Sequence, residues 1–380
     1  MRPLLAVPAG NPADLTVALR AALDGSGPAI LPLAPDAPRP LHLPDEVPVA
    51  TAVVVATSGS SGTPKRVVLS TAALLTSAAA TESALGGPGE WVLALPGHYI
   101  AGIQVIVRSL AAGGEPYAIP GGPFHAETFA DAVAALPADR RRYSALVPTQ
   151  LHRVLDAVAA GDRDVADAVR RLDALLIGGG PLADADAQRA RDAGIRVVRT
   201  YGASETAGGC VYDGVPLQGV EVRVVEGEVQ LAGPVLADGY LGDAARTERV
   251  FVSEPGRRWY RTGDAGDWDG ERLTVTGRLD DVIVSGGEKV SLALVERAVQ
   301  ELPGMADAIV VRAPDPEWGE VPVVMTTAGG TDLPTMRAVL GERLGRAAAP
   351  SRIVVVDPLP LLSNGKPDRV RLTALAAEPT

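Results

Sequence analysis

"TAVVVATSGSSGTPKR", residues 51–66, joins a β-branched apolar run to a stretch of glycines and small hydroxyl residues that ends in Lys65 and Arg66. A β-branched run bounded by Gly, Ser and Pro reads as a strand entering a turn. In such a turn, small side chains let backbone N–H groups face a phosphate, and a lysine adds a mobile positive charge. The candidate phosphate contacts are Thr57, Ser58, Gly59, Ser60, Ser61, Gly62, Thr63 and Lys65. The spacing is not that of a Walker A loop, because G-x-x-x-x-G-K-[ST] does not fit "GSSGTPKR". Taken alone, the stretch also reads as a plain surface Ser/Gly turn. Ser70 is the expected N-cap of the helix that follows.

The lysine is itself unusual. Of 35 Lys plus Arg only three are lysine, Lys65, Lys289 and Lys366, and each has a glycine within the three residues before it. A compact ammonium differs from a planar guanidinium in geometry and hydration, so a lysine kept against this bias suggests a need for a point charge.

Working outward from residue 51, β-branched runs alternate with Ala/Leu-rich helical patterns as far as residue 200: "TAVVVA", 70–85, "WVLAL", 101–112, "YSALVP", 150–171, "LDALLIG", 183–193 and "IRVVRT". That alternation predicts an α/β fold with a mainly parallel, helix-covered sheet. Between 215 and 277 the runs "VEVRVV", "GEVQLAG", "RRWYRTGD" and "ERLTVTG" predict antiparallel β structure. The last hundred residues read as a smaller α+β pattern: helix 291–302, strands "DAIVVR" and "VPVVMTT", helix 332–346, strand "RIVVVD". The expectation is a large domain over 1–279 and a small one over 280–380, joined by a short hinge near Asp280.

Composition narrows the function. With 380 residues, 47% of them hydrophobic, the chain can build a real core, and a net charge of −11 offers no basic face for nucleic acid. One cysteine, Cys210, excludes an internal disulfide, and no Cys/His spacing reads as a zinc site. No segment approaches about 18 uninterrupted apolar residues, so a soluble cytoplasmic protein with no membrane association is expected.

Four more stretches carry chemistry. "LLIGGGPL" (175–182) and "TYGASETAGG" (200–209) end β-type runs in glycine turns, where open α/β sheets place ligands. Glu205 lacks a nearby cation in sequence; it reads either as a Mg²⁺ ligand beside phosphates or as a solvated loop glutamate. "YRTGDAGDWDG" (260–270) and "GRLDDVIVSGGEKVS" (277–291) bring in Asp264 and Arg278, a ribose clamp or a structural ion pair. "LPLLSNGKPDR" (359–369) sets Lys366 in a glycine turn, where a lone exposed lysine would be unremarkable.

Together "TSGSSGTPK", "TYGASET", "YRTGDAGDWDG", "GRLDDVIVSGGEKVS" and "NGKPDR", in this order, resemble the core motifs of the adenylate-forming acyl/aryl-CoA synthetases, the AMP-binding enzymes. The resemblance implies two half-reactions: a carboxylate attacks the α-phosphate of Mg-ATP to give acyl-AMP, then coenzyme A displaces AMP to give a thioester. It implies that Lys366 contacts the carboxylate and α-phosphate, that Glu205 binds Mg²⁺, and that the 57–65 loop holds the β and γ phosphates. Gly178, Gly179 and Gly180 with Tyr201 would frame the adenine, Gly202 and Ser204 would belong to the same nucleotide site, and Asp264 and Arg278 would hold the ribose. After pyrophosphate leaves, the small domain would swing about Asp280 and bring Ser285, Gly286, Gly287 and Lys289 to line the thiol tunnel. The family leaves room for a homodimer.

The acid is decided by the pocket. Between Trp91 and Gly114 the only formally charged side chain is Arg108 in "HYIAGIQVIVRSL", ten residues after His98. A lone Arg in an apolar helix has an acidic partner from another helix, snorkels its charged end to water, or meets an anionic ligand. With "VPTQL" and "SETAGGCVYDG", including Gly208 and Gly209, the chain is similar to the o-succinylbenzoate–CoA ligases of menaquinone biosynthesis. That similarity implies an aryl dicarboxylate substrate whose second carboxylate meets Arg108 while His98 lines the acyl end. Competing readings are another acyl- or aryl-CoA ligase, a stand-alone adenylation enzyme that loads a carrier protein, and a nucleotide-binding regulatory protein.

Overall fold

The computed structural model describes residues 1–378 apart from 36, 39, 41, 58–64, 328 and 362–366. Ser58, Gly59, Ser60, Ser61, Gly62, Thr63 and Lys366 therefore lie outside the described residues. The chain forms two compact units: Met1–Arg223 with Gln230–Arg261 and Asp269–Leu273, and Val224–Val229 with Thr262–Trp268 and Thr274–Thr380.

The first unit contains two sheets. In the six-stranded one, Arg2–Pro8, Ala29–Leu33 and Thr51–Thr57 run parallel, and Lys65–Ser70 folds back antiparallel on Thr51–Thr57. Sequence reading placed a helix after 57–66 with no strand between; instead "KRVVLS" is a strand paired with Thr51–Thr57, where its valines suit buried sheet positions. The helix then begins where expected, at Thr71–Leu85, with the Ser70 hydroxyl accepting from Ala73 N at 3.1 Å. The strand Arg2–Pro8 and the helix Pro12–Asp24, capped by Asn11, were not anticipated. Proline at the first helical turn is compatible with a helix start, and Asn11 supplies the cap.

The seven-stranded sheet has Tyr117–Ala118, Gly89–Leu93, Arg141–Leu146, Ala174–Ile177 and Val197–Ala203 parallel, with Gly208–Tyr212 turning back antiparallel. Its helices Ala126–Ala134, Pro148–Ala159 and Arg163–Arg170 pack Phe129, Leu151, Val154 and Val169 against Val92, Leu146, Leu175 and Ile177, all buried. The helix expected over 150–171 is two helices, since Gly161 adopts φ +91° between them.

In the second unit, Val282–Ser285 and Glu288–Ser291 form a hairpin around the two-residue turn Gly286–Gly287, both with positive φ. Ile309–Asp315 pairs antiparallel with Gly319–Thr326, and Arg352–Val355 adds in parallel. Period-2 alternation divides two cores. Val310 and Val324 join Val295, Val299, Met336 and Leu340, whereas Ile309, Val311, Val323 and Met325 join Leu372 and Ala376. The helix Arg369–Ala377 that completes the second core carries no strong sequence pattern and was not predicted.

Candidate active site

Two glycine turns meet at the carboxyl ends of the parallel strands Ala174–Ile177 and Val197–Ala203, the place where an open α/β sheet presents ligands. Gly178 N donates to Leu146 O at 3.2 Å, and a Cβ on Gly178 would lie 2.4 Å from Thr200 Oγ1. Gly202 pairs with Gly209 and Ala203 with Gly208, and a Cβ on Gly202 would come within 2.2 Å of Gly208 O. Backbone therefore packs on backbone here, so the glycines are fixed by close approach as well as by any ligand. Tyr201 is half-buried between them.

After Val197–Ala203 the chain makes one tight turn, Ser204–Thr206. Thr206 holds it, its hydroxyl accepting from Ala203 N at 2.9 Å and donating to Gly208 O at 2.7 Å. Ala207 takes φ +51°, and its carbonyl accepts from Gln104 Nε2 at 2.7 Å and Ser77 Oγ at 3.1 Å. The turn buries Glu205, 6% exposed, whose Oε1 accepts from the Tyr240 hydroxyl at 2.7 Å. Burial, and next the Glu205 charge, push the Tyr240 phenol well above its ordinary pKa, so it stays a proton donor. Tyr240 was missed in the sequence: it stands 35 residues from Glu205 and belongs to no recognised spacing.

Lys65 lies at the start of its strand opposite Thr57, with its Nζ 6.0 Å from the centre of the Tyr240 ring. Lys65 and Glu205 thus both reach Tyr240. Among the described residues no group of three or more His, Cys, Asp or Glu could hold a metal. Mg²⁺ retains waters and takes one or two carboxylates plus phosphate oxygens, so the single oriented carboxylate of Glu205 suits it when a triphosphate is bound.

On the acyl side, His98 precedes the helix Ile100–Ala111, and among the described residues neither of its ring nitrogens, both buried, has a hydrogen-bond partner. Burial lowers the pKa of His98, which favours the neutral ring. Gly208 faces Ile100 and Gln104 on that helix. Arg108 sits two turns further, a rise of about 12 Å from Ile100. Its guanidinium is 5.0 Å from the Trp91 ring and donates to Tyr212 Oη at 3.4 Å, while Nε is buried without a partner. Arg108 is 7% exposed, and no described carboxylate pairs with it. The acidic partner from another helix, one of its sequence readings, is therefore not found among the described residues. Cys210, next to Gly209, is fully buried, and burial pushes its thiol up to about 12.

In the second unit, Arg278 donates to Asp264 Oδ1 at 3.1 Å and grips Asp280 with two bonds at 2.8 and 3.1 Å. Arg278 is thus ion-paired with Asp264 and, in a bidentate fashion, with Asp280, the residue the sequence had assigned to the hinge. Arg312 donates to the Asp280 carbonyl. Ser285 is buried, Lys289 exposed, and a Cβ on Gly286 would lie 2.6 Å from Trp318.

The AMP-binding enzyme family matches residues 13–241, and its C-terminal domain matches residues 294–366. The chain belongs to the AMP-binding enzymes. It is 40% identical to a probable 2-succinylbenzoate–CoA ligase of Mycobacterium tuberculosis, over 97% of both chains. It is similar to an Escherichia coli MenE variant with bound OSB-AMS (TM-score 0.77, 25% identity, 99% of this chain and 88% of that one). It is also similar to the amide bond synthetase McbA from Marinactinospora thermotolerans (TM-score 0.75, 27% identity, 99% and 80%). The AMP-binding enzyme fold, a large N-terminal domain followed by a small C-terminal one, is thus the fold expected from the motifs.

Proposed function

We propose that this chain is an ATP-dependent ligase that converts o-succinylbenzoate (2-succinylbenzoate) to its coenzyme A thioester through an acyl-AMP, in menaquinone biosynthesis. The observation that carries the choice of acid is Arg108. A guanidinium taken out of water without a carboxylate is costly unless an anion reaches it. The family's acid is activated at one end, and this substrate bears a second carboxylate at its far end. Arg108 lies on the same helix as Ile100 and Gln104, which face Gly208 of the glycine turn.

In the first half-reaction a carboxylate oxygen forms a bond to the α-phosphorus while the bond to the β-phosphate breaks and pyrophosphate leaves. Lys366, by family resemblance, stabilises the charge that develops there. Lys65 and the 57–65 loop hold the outgoing phosphates, and Glu205 presents its carboxylate to Mg²⁺. Mg²⁺, when bound, neutralises phosphate charge. His98, neutral, lines the acyl end. Gly178, Gly179 and Gly180 with Tyr201 frame adenine, Gly202 and Ser204 belong to the same nucleotide site, and Asp264 and Arg278 take the ribose.

In the second half-reaction the thiol sulfur attacks the acyl carbon, AMP departs, and the thiol proton is released. The hairpin tip with Ser285, Gly286, Gly287 and Lys289 lines the thiol path, and the domains, 1–279 and 280–380, turn about Asp280. We place the enzyme in the cytoplasm; no helix among the described residues is long and apolar enough to cross a membrane.

Mass spectrometry of a reaction with Mg-ATP, coenzyme A and a panel of acids tests this. A dominant o-succinylbenzoyl-CoA product is expected. A preference for benzoate or fatty acids would move the assignment to another CoA ligase, and an acyl-AMP without thioester would point to a carrier protein or amine acceptor.

A further inference from the structure

We infer that Tyr240 is a positioning residue that sets the Glu205 carboxylate for the metal and ties it to the phosphate-loop lysine. The inference rests on the reading of Glu205 as the Mg²⁺ ligand and adds a residue that reading does not contain. Three contacts support it. The Tyr240 hydroxyl donates to Glu205 Oε1 at 2.7 Å between two buried side chains. The Tyr240 ring centre lies 6.0 Å from Lys65 Nζ. The strand Gly239–Tyr240 pairs antiparallel with Val67 and Val68, so Tyr240 sits on the strand that Lys65 begins.

Glu205 lies in the turn that follows the strand Val197–Ala203 of the seven-stranded sheet, and Lys65 begins a strand of the six-stranded one. Tyr240 joins them, and the chain around it is arranged to keep it there. Its N–H donates to Thr247 Oγ1 at 2.9 Å, Gly239 packs so closely on Thr247 that a Cβ would lie 2.4 Å from Cγ2, and Ala237 N donates to Glu205 O at 2.8 Å. The Phe251 ring lies tilted against it at 5.9 Å between centres, and Arg246 lies 5.7 Å from the ring centre. A carboxylate with one oxygen tied to a rigid phenol offers its other oxygen in a defined direction. Such outer partners typically change metal affinity about 10- to 100-fold when removed.

The test uses Mn²⁺ as a spin probe, titrated by electron paramagnetic resonance into the full chain with α,β-methylene-ATP. Tyr240→Phe removes only the hydroxyl and is expected to weaken Mn²⁺ about tenfold, while thioester formation from supplied acyl-AMP stays near wild type. Glu205→Gln is the companion variant. If Glu205→Gln weakens Mn²⁺ and Tyr240→Phe changes it less than twofold, the inference about Tyr240 is overturned and the Glu205 assignment stands. If neither variant changes Mn²⁺ binding, the Glu205 assignment fails and takes the inference with it. Loss of the thioester step along with metal affinity would mark Tyr240 as a general structural support, which also overturns the proposal.

Discussion

At the scale of single residues, the same site must bind a dianionic acid beside a highly charged nucleotide, and it does so with few cations. Arg108→Ala removes one charge-assisted contact of about 1.5–3 kcal/mol, so KM for o-succinylbenzoate is expected to rise about 10- to 100-fold with little change in ATP binding. Steady-state kinetics with each substrate varied would check this, and an unchanged acid KM would make Arg108 a packing residue over Trp91. Lys366→Ala is expected to slow acyl-AMP formation by at least about 10²-fold, yet spare thioester formation from supplied acyl-AMP. His98 adds a pH dependence. Because burial lowers its pKa below the ordinary 6.5, the unfolded chain takes up the proton first as pH falls. The folded state therefore loses stability below about pH 6.5 and is free of that cost above it. Calorimetry of His98→Gln should show a shallower fall in Tm between pH 7 and 5 than the parent chain.

At the scale of elements, legibility followed period and punctuation. The helices Thr71–Leu85 and Ile100–Ala111 and the parallel strands were readable because β-branched runs and Ala/Leu patterns alternate with glycine stops. Hairpins were harder. Of "KRVVLS" only Lys65 belongs to a motif, and its consecutive buried Val67, Val68 and Leu69 give no two-fold alternation to read, whereas 282–291 lies wholly inside a functional motif that drew attention from its strands. Gly286 shows the cost of the loop reading. Sequence reading treated 285–289 as a loop, whereas Gly286 and Gly287 are the two turn residues of a hairpin seated on Trp318. Gly286→Ala would meet both φ +57° and the indole, a cost of about 1–3 kcal/mol. The thioester half-reaction should fall while pyrophosphate release continues. Tyr240 was illegible for a different reason: its partner Glu205 is distant in sequence, and only the fold makes them neighbours.

At the scale of the whole molecule, chain order and spatial clustering part company. Val224–Val229, Thr262–Trp268 and residues 274–279 cluster with the C-terminal unit although they precede residue 280. A chain cut after Leu279 would keep those three stretches without the rest of the unit they cluster with. Such a truncation is expected to melt at least about 5 °C below the full chain, and an unchanged Tm would mean that 279/280 is a clean domain boundary.

The burial of Cys210 has a chemical consequence for a protein that makes a mixed anhydride. Acyl adenylates acylate thiolates and free amines indiscriminately. Fully buried, with its thiol pushed up to about 12, Cys210 stays a thiol and not a thiolate at pH 7. Amines are equally scarce, since lysines number three and nearly every other cation is an unreactive guanidinium. The enzyme thus gives its own intermediate few internal targets, and intact-mass measurement after prolonged turnover without coenzyme A should find no acyl adduct on Cys210.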